Sequence, residues 1–93
     1  MVVGILEVDL SVPGSNSLKD KRQVIKSLLT VIRNKFNVSA AEIDHLDSHR
    51  RAGLAFACVS NDQTIANRLL DKVMEHIESN PLAEVVGSNL QFV

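Results

Sequence analysis

Hydrophobic and polar residues alternate along the first stretch of the chain. In VVGILEVDLS (residues 2–11), Leu6, Val8 and Leu10 share one face, while Val3, Ile5, Glu7 and Asp9 share the other. A period of two predicts a strand with one buried face. Gly4 lies on the Leu6 face, where a missing side chain lets a helix approach closely. Pro13, Gly14, Ser15 and Asn16 then predict a loop.

The period changes at Ser17. Leu18, Ile25, Leu28, Leu29, Ile32 and Phe36 recur at helical spacing. Ser17 is the predicted N-cap. Asp20, three residues on, holds the capping-box position near the positive end of the helix dipole. Asn37 is predicted to end the helix in a left-handed conformation. Residues 38–46 and 50–60 predict two strands joined by a turn around 47–49. In the second of these, bulky Leu54, Phe56 and Cys58 alternate with small Gly53, Ala55 and Ala57. Ser60 and Gln63 form a predicted capping box for a second helix. Its apolar face is Ile65, Leu69, Leu70, Val73 and Ile77, and Asn80 followed by Pro81 stops it. Residues 84–92 predict a last strand carrying Val86, Leu90 and Phe92.

The resulting order is βαββαβ. It predicts an α+β, ferredoxin-like fold: a four-stranded antiparallel sheet with two helices on one face. Ninety-three residues make a single domain over 1–93. The uncovered sheet face would present Val3 and Ile5 beside Ala55 and Ala57. Such an apolar patch of small residues suits a dimer contact or a small ligand. A one-residue slip in register would turn it inward.

Composition narrows the chemistry. One cysteine, Cys58, excludes an internal disulfide and a multi-cysteine metal site, and it suits a reducing compartment. No apolar run approaches the roughly 20 residues of a membrane span. The start of the chain alternates and carries Glu7 and Asp9, unlike a signal peptide. A cytoplasmic location, with no membrane contact, is therefore expected.

The formal net charge is only −1, but it is unevenly spread. Residues 1–36 hold six Lys/Arg against three Asp/Glu, and residues 37–93 hold four against eight. All six of those first cations lie in the first helix. Lys19, Arg22, Lys26 and Arg33 fall in a narrow arc beside its apolar stripe. Free N–H groups at the helix start, with Lys19, Lys21 and Arg22 nearby, can hold a phosphate. Lys26 and Arg33 would continue the contact along a nucleic-acid backbone. The competing reading is a solvated flank whose long stems cover the edge of the core.

Other constellations are weaker. His45, Asp47 and His49 alternate as metal ligands sometimes do. They sit in a turn, where such residues are ordinary, and no second ligand cluster accompanies them. Pairing of Glu42, Asp44 or Asp47 with Arg50 and Arg51 across the hairpin is the expected role. Neither a metal nor another cofactor is expected. Glu7, Asp9, Glu42 and Asp44 lie on strands of one sheet, but nothing separates their acidities as acid–base catalysis requires. Cys58, mid-strand among apolar residues, reads as an inert thiol. RNA-recognition motifs stack bases on exposed strand aromatics, and the first strand has none.

Several segments together resemble a known family. They are SLKDKR (17–22), FNVSAAE (36–42), Asp47, Arg51 with Ala52, Pro13 and VSND (59–62). The chain is similar over nearly its whole length to the YlxP-like family, a domain of unknown function numbered 503. His45 and His49 stand outside that pattern. The resemblance implies a ferredoxin-like fold in a small bacterial cytoplasmic protein. It also implies a role near the small ribosomal subunit, because family genes often lie among translation and ribosome-maturation genes. It carries no catalytic residue.

The leading expectation is a non-enzymatic module that binds the small ribosomal subunit or its precursor RNA. Lys19, Lys21, Arg22, Lys26 and Arg33 would contact phosphates. The alternative is a homodimeric interaction or small-ligand module using Val3, Ile5, Ala55 and Ala57. An enzyme working through Glu42 or Asp47 ranks third.

Overall fold

A computed structural model describes all residues from Met1 to Val93. The elements are β1 (Val2–Ser11), α1 (Leu18–Lys35), β2 (Ser39–Asp44), β3 (Arg51–Ser60), α2 (Gln63–Glu78) and β4 (Glu84–Phe92). The strands form one antiparallel sheet in the order β2-β3-β1-β4. The two long strands, β1 and β3, lie at its centre. This is the ferredoxin-like α+β fold.

The strand alternation plays out as expected. Leu6, Val8 and Leu10 of β1 are buried with Ala52, Leu54, Phe56 and Cys58 of β3. Against them lie Ile25, Leu28, Leu29 and Ile32 of α1 and Ala66, Leu70, Val73 and Ile77 of α2. Burial of each large aliphatic side chain contributes roughly 1.5–3 kcal/mol. Gly4 permits the approach of α2: a Cβ there would lie 2.8 Å from Leu70 Cδ1.

Several local expectations differ from the structure. Phe36, not Asn37, caps α1, in an extended conformation, and its N–H donates to the Ile32 carbonyl. The non-glycine residue with positive φ is His45, at 57°. Asp62, not Ser60, is the N-cap of α2 and accepts from the Thr64 N–H at 2.8 Å. Ser60 instead accepts from the Asp62 N–H, one step earlier. Ile65 is exposed and Ala66 takes the buried position, because at about 100° per residue Ala66 falls in the arc of Leu70, Val73 and Ile77 and Ile65 falls outside it.

Both edge strands carry an irregularity. In β4 the pairing jumps from Asp9↔Gly87 to Leu10↔Val85. The extra residue reverses the facing, so Val86 is exposed and Val85 packs toward the core. In β2 the pairing jumps from Glu42↔Leu54 to Asp44↔Gly53, leaving Ile43 exposed. Gly53 makes room for this: a Cβ there would lie 2.7 Å from Asp44 Cβ.

Candidate nucleic-acid interface

The N-terminus of α1 is closed by its own side chains. Ser17 Oγ accepts from the Asp20 N–H at 3.0 Å, and Asp20 Oδ2 accepts from the Asn16 N–H at 3.2 Å. The preceding loop is tied down as well. Buried Ser15 donates its hydroxyl to the Ser17 carbonyl at 2.8 Å, and Arg50 Nε donates to the Ser15 carbonyl at 2.9 Å. A phosphate expected at this helix end would meet the Asp20 carboxylate. The end is therefore a capped terminus and not an anion cradle.

Lys21 departs furthest from expectation. Its side chain is fully buried, at 0% exposure. Nζ donates to Glu42 Oε2 at 2.6 Å and to the His45 carbonyl at 3.1 Å. A buried ammonium requires such partners. Lys21 therefore cannot touch a phosphate, and its place among the phosphate-binding residues is corrected. A helical projection contains the missed signal. At about 100° per residue, Lys21 falls within the arc of Ile25, Leu28 and Ile32 rather than the arc of Lys19 and Arg22. A lysine inside an apolar stripe needs an anion from another element. Glu42 supplies it, so Glu42 is not engaged with Arg50 or Arg51. Its segment, FNVSAAE, thereby joins SLKDKR through one ion pair.

Arg33 has a second use. Its guanidinium donates to the Ala40 carbonyl on β2. Because β2 is an edge strand, this side chain covers part of an exposed edge. Lys19, Arg22 and Lys26 remain. All three are exposed, and no hydrogen bond or ion pair engages them within the chain. They occupy successive turns of α1 and span about 10 Å along its axis.

Three acids lie on the opposite, uncovered face of the sheet, while exposed Asp71, Glu75 and Glu78 lie on α2. Asp9 and Asp44 flank Gly53 on the uncovered sheet face, and Glu7 lies next along β1. With Ser88 and Asn89 they line a depression of about 230 Å³. Glu42 points to the helix side, so the four acids considered from sequence do not form one set. His45 Nε2 lies 3.9 Å from both Asp9 Oδ1 and Asp44 Oδ2, beyond hydrogen-bond reach. No three His, Cys, Asp or Glu side chains converge in a way that can hold a metal ion. Cys58 is buried, with Sγ 4.0 Å from the Ala66 carbonyl.

Val3, Ile5, Ala55 and Ala57 share the uncovered face, each half-buried. Ile5, Ala55 and Ala57, with Ser39 and Ala41 of β2, line an apolar depression of about 270 Å³. No helix is long and apolar enough to cross a membrane.

Comparison with known proteins agrees with the resemblance read from the motifs. A family model described as a protein of unknown function, DUF503, matches residues 3–90. The chain is 36% identical over 83 residues to the uncharacterized protein YlxP of Bacillus subtilis (strain 168), covering 89% of this chain and 90% of that protein. With the motifs SLKDKR and FNVSAAE joined in one fold, the chain belongs to the DUF503 family.

Proposed function

We propose that the protein is a non-enzymatic module that binds the small ribosomal subunit or its precursor RNA through the outer face of α1. One observation carries the reading: Lys19, Arg22 and Lys26 form an exposed row that no carboxylate of the chain neutralises. The acidic sheet face on the other side favours a single orientation toward a polyanion. The translation setting implied by the family resemblance supports the choice of target.

Loss of Lys21 and diversion of Arg33 change the expected strength. Five phosphate contacts would weaken binding roughly 100- to 500-fold between 50 and 200 mM salt; three contacts weaken it only about 15- to 40-fold. Co-sedimentation with purified small subunits across that salt range tests the reading. The expected slope of log affinity against log salt is about −2 to −3. A slope near zero, or no co-sedimentation at 50 mM salt, would remove the proposal.

A second reading rests on the apolar depression around Ile5. A second copy of the chain laid over this face would cover Val3, Ile5, Ala55 and Ala57, giving a dimer insensitive to salt. Ile5→Glu then converts the dimer to monomer in analytical ultracentrifugation. A wild-type chain that sediments as a monomer at tens of micromolar would dismiss this reading.

A further inference from the structure

Phe36, Lys35 and the last turns of α2 build a feature that the stripe on α1 does not use. Lys35, Phe36, Lys72, Glu75, His76 and Ser79 line a depression of about 370 Å³ between the two helices. The size falls within the range of small-molecule sites. Three kinds of group converge there. Phe36 and His76 present their rings edge to face, with centroids 6.3 Å apart and planes at 72°. Lys35 Nζ lies 5.6 Å from the Phe36 ring centroid. Lys72 and Glu75 add one cation and one carboxylate, neither engaged in an ion pair or hydrogen bond within the chain. The Ser79 hydroxyl is already used, donating to the His76 carbonyl at 2.7 Å.

We infer that this depression takes one nucleotide of a single-stranded RNA whose base carries an exocyclic amine. Lys35 and Lys72 hold the phosphate, the Phe36 and His76 rings hold the base, and Glu75 accepts a hydrogen bond from the amine. The inference rests on RNA as the partner named in the proposed function, but not on the α1 row itself. The same helix that carries Lys19, Arg22 and Lys26 on one flank delivers Lys35 on its opposite flank, toward α2, about 14 Å further along the axis, so an RNA strand reaching both crosses the end of α1. The ring pair is the distinctive element. The chain has three phenylalanines and no other aromatic residue but histidine. Phe56 is fully buried, and Phe92 packs on the core away from any lysine. Phe36 is half-buried and packs on the core as Phe92 does, but its ring is the one that meets a lysine, Lys35. Aromatic rings beside lysines are the means by which proteins take unstacked bases, and a carboxylate selects bases that donate.

The test uses the full chain with a labelled octamer of adenosine, an octamer of uridine and a matched RNA duplex. The adenosine octamer should bind most tightly and shift the backbone amide signals of Lys35, Phe36, Lys72 and His76. His76→Ala and Phe36→Leu should each weaken it about tenfold, leaving the salt slope unchanged. Lys72→Glu should also weaken binding and flatten the slope by about one. Leucine retains most of the core packing of Phe36, and His76 is only half-buried, so circular dichroism of both ring variants separates lost binding from lost folding. Signal shifts confined to residues 19–26, with both ring variants binding like wild type, would overturn the inference while leaving the α1 reading intact. Shifts at the depression that persist when Lys19, Arg22 and Lys26 are reversed would uphold the inference and remove the α1 reading. Equal binding of adenosine and uridine octamers would overturn the role of Glu75. If none of the RNAs binds, both readings fall.

Discussion

Replacing Glu42 with alanine is expected to cost about 3–5 kcal/mol of folding stability. The reason is the fate of Lys21. Its ammonium is fully buried and has two partners, Glu42 Oε2 at 2.6 Å and the His45 carbonyl at 3.1 Å. Without the carboxylate, a positive charge would remain in an apolar setting with one carbonyl for support. A domain of this size holds roughly 5–14 kcal/mol in total, so the loss is a large share. The midpoint of thermal unfolding should fall by more than about 12 °C. Lys21→Met should cost less, since the Glu42 side chain is 16% exposed and can turn toward water. Changing both, Lys21→Met with Glu42→Leu, should restore much of the loss, because a paired charge and an apolar pair of similar volume are nearly equivalent in a core. Urea titration of wild type, Lys21→Met, Glu42→Leu and the double variant closes the cycle and gives the coupling directly. A Glu42→Ala protein melting within about 4 °C of wild type would show that the pair does not hold α1 to the β2–β3 hairpin.

Reversing Lys19, Arg22 and Lys26 to glutamate together should lower affinity for the small subunit about 1,000-fold at 50 mM salt. Each phosphate contact contributes roughly tenfold at that salt relative to 1 M, and three are removed. The protein should stay folded. The three side chains are exposed and make no contact that the change would break, and such surface changes usually lie within about 0.5 kcal/mol each. A glutamate at position 19 also suits the positive end of the helix dipole. Reversing Arg51 and Arg68, two exposed cations outside the stripe, changes the net charge by four of the same six units and serves as a control for overall repulsion. A loss of similar size in that control would assign the effect to overall repulsion and not to α1. Arg33 is left out of the reversed set because its guanidinium covers the β2 edge at Ala40, and its loss would mix binding with sheet integrity.

The elements were legible because their signals are local. Alternation in residues 2–11, the helical spacing from Leu18 to Phe36 and the stop at Asn80 and Pro81 each depend on near neighbours. Gly4 could be assigned to helix approach from its position on the Leu6 face alone, and Leu70 of α2 meets it there. The bulges were not legible. Val85 and Val86 are adjacent and identical, and only pairing with Asp9 and Leu10 selects the inward one. The candidate interface was half legible. The arc of Lys19, Arg22 and Lys26 follows from helical geometry. Lys21 sits among cations in the sequence but at the angular position of Ile25, Leu28 and Ile32 on the helix, and its partner Glu42 is remote in the chain.

By itself the sequence determined the order of elements, the faces of β1, β3 and α1, and the excess of positive charge on the first helix. Those properties repeat within a few residues, and backbone geometry enforces them wherever the chain folds. The tertiary structure alone decided which cations are free. Lys21 is buried because Glu42, 21 residues away, reaches it across the layer between helix and sheet. Arg33 is occupied because β2 ends the sheet beside it. Phe36 and His76 meet because α1 and α2 pack on the same face. A charge in the chain becomes a binding group or a structural one according to what lies across from it, and that depends on partners remote in sequence.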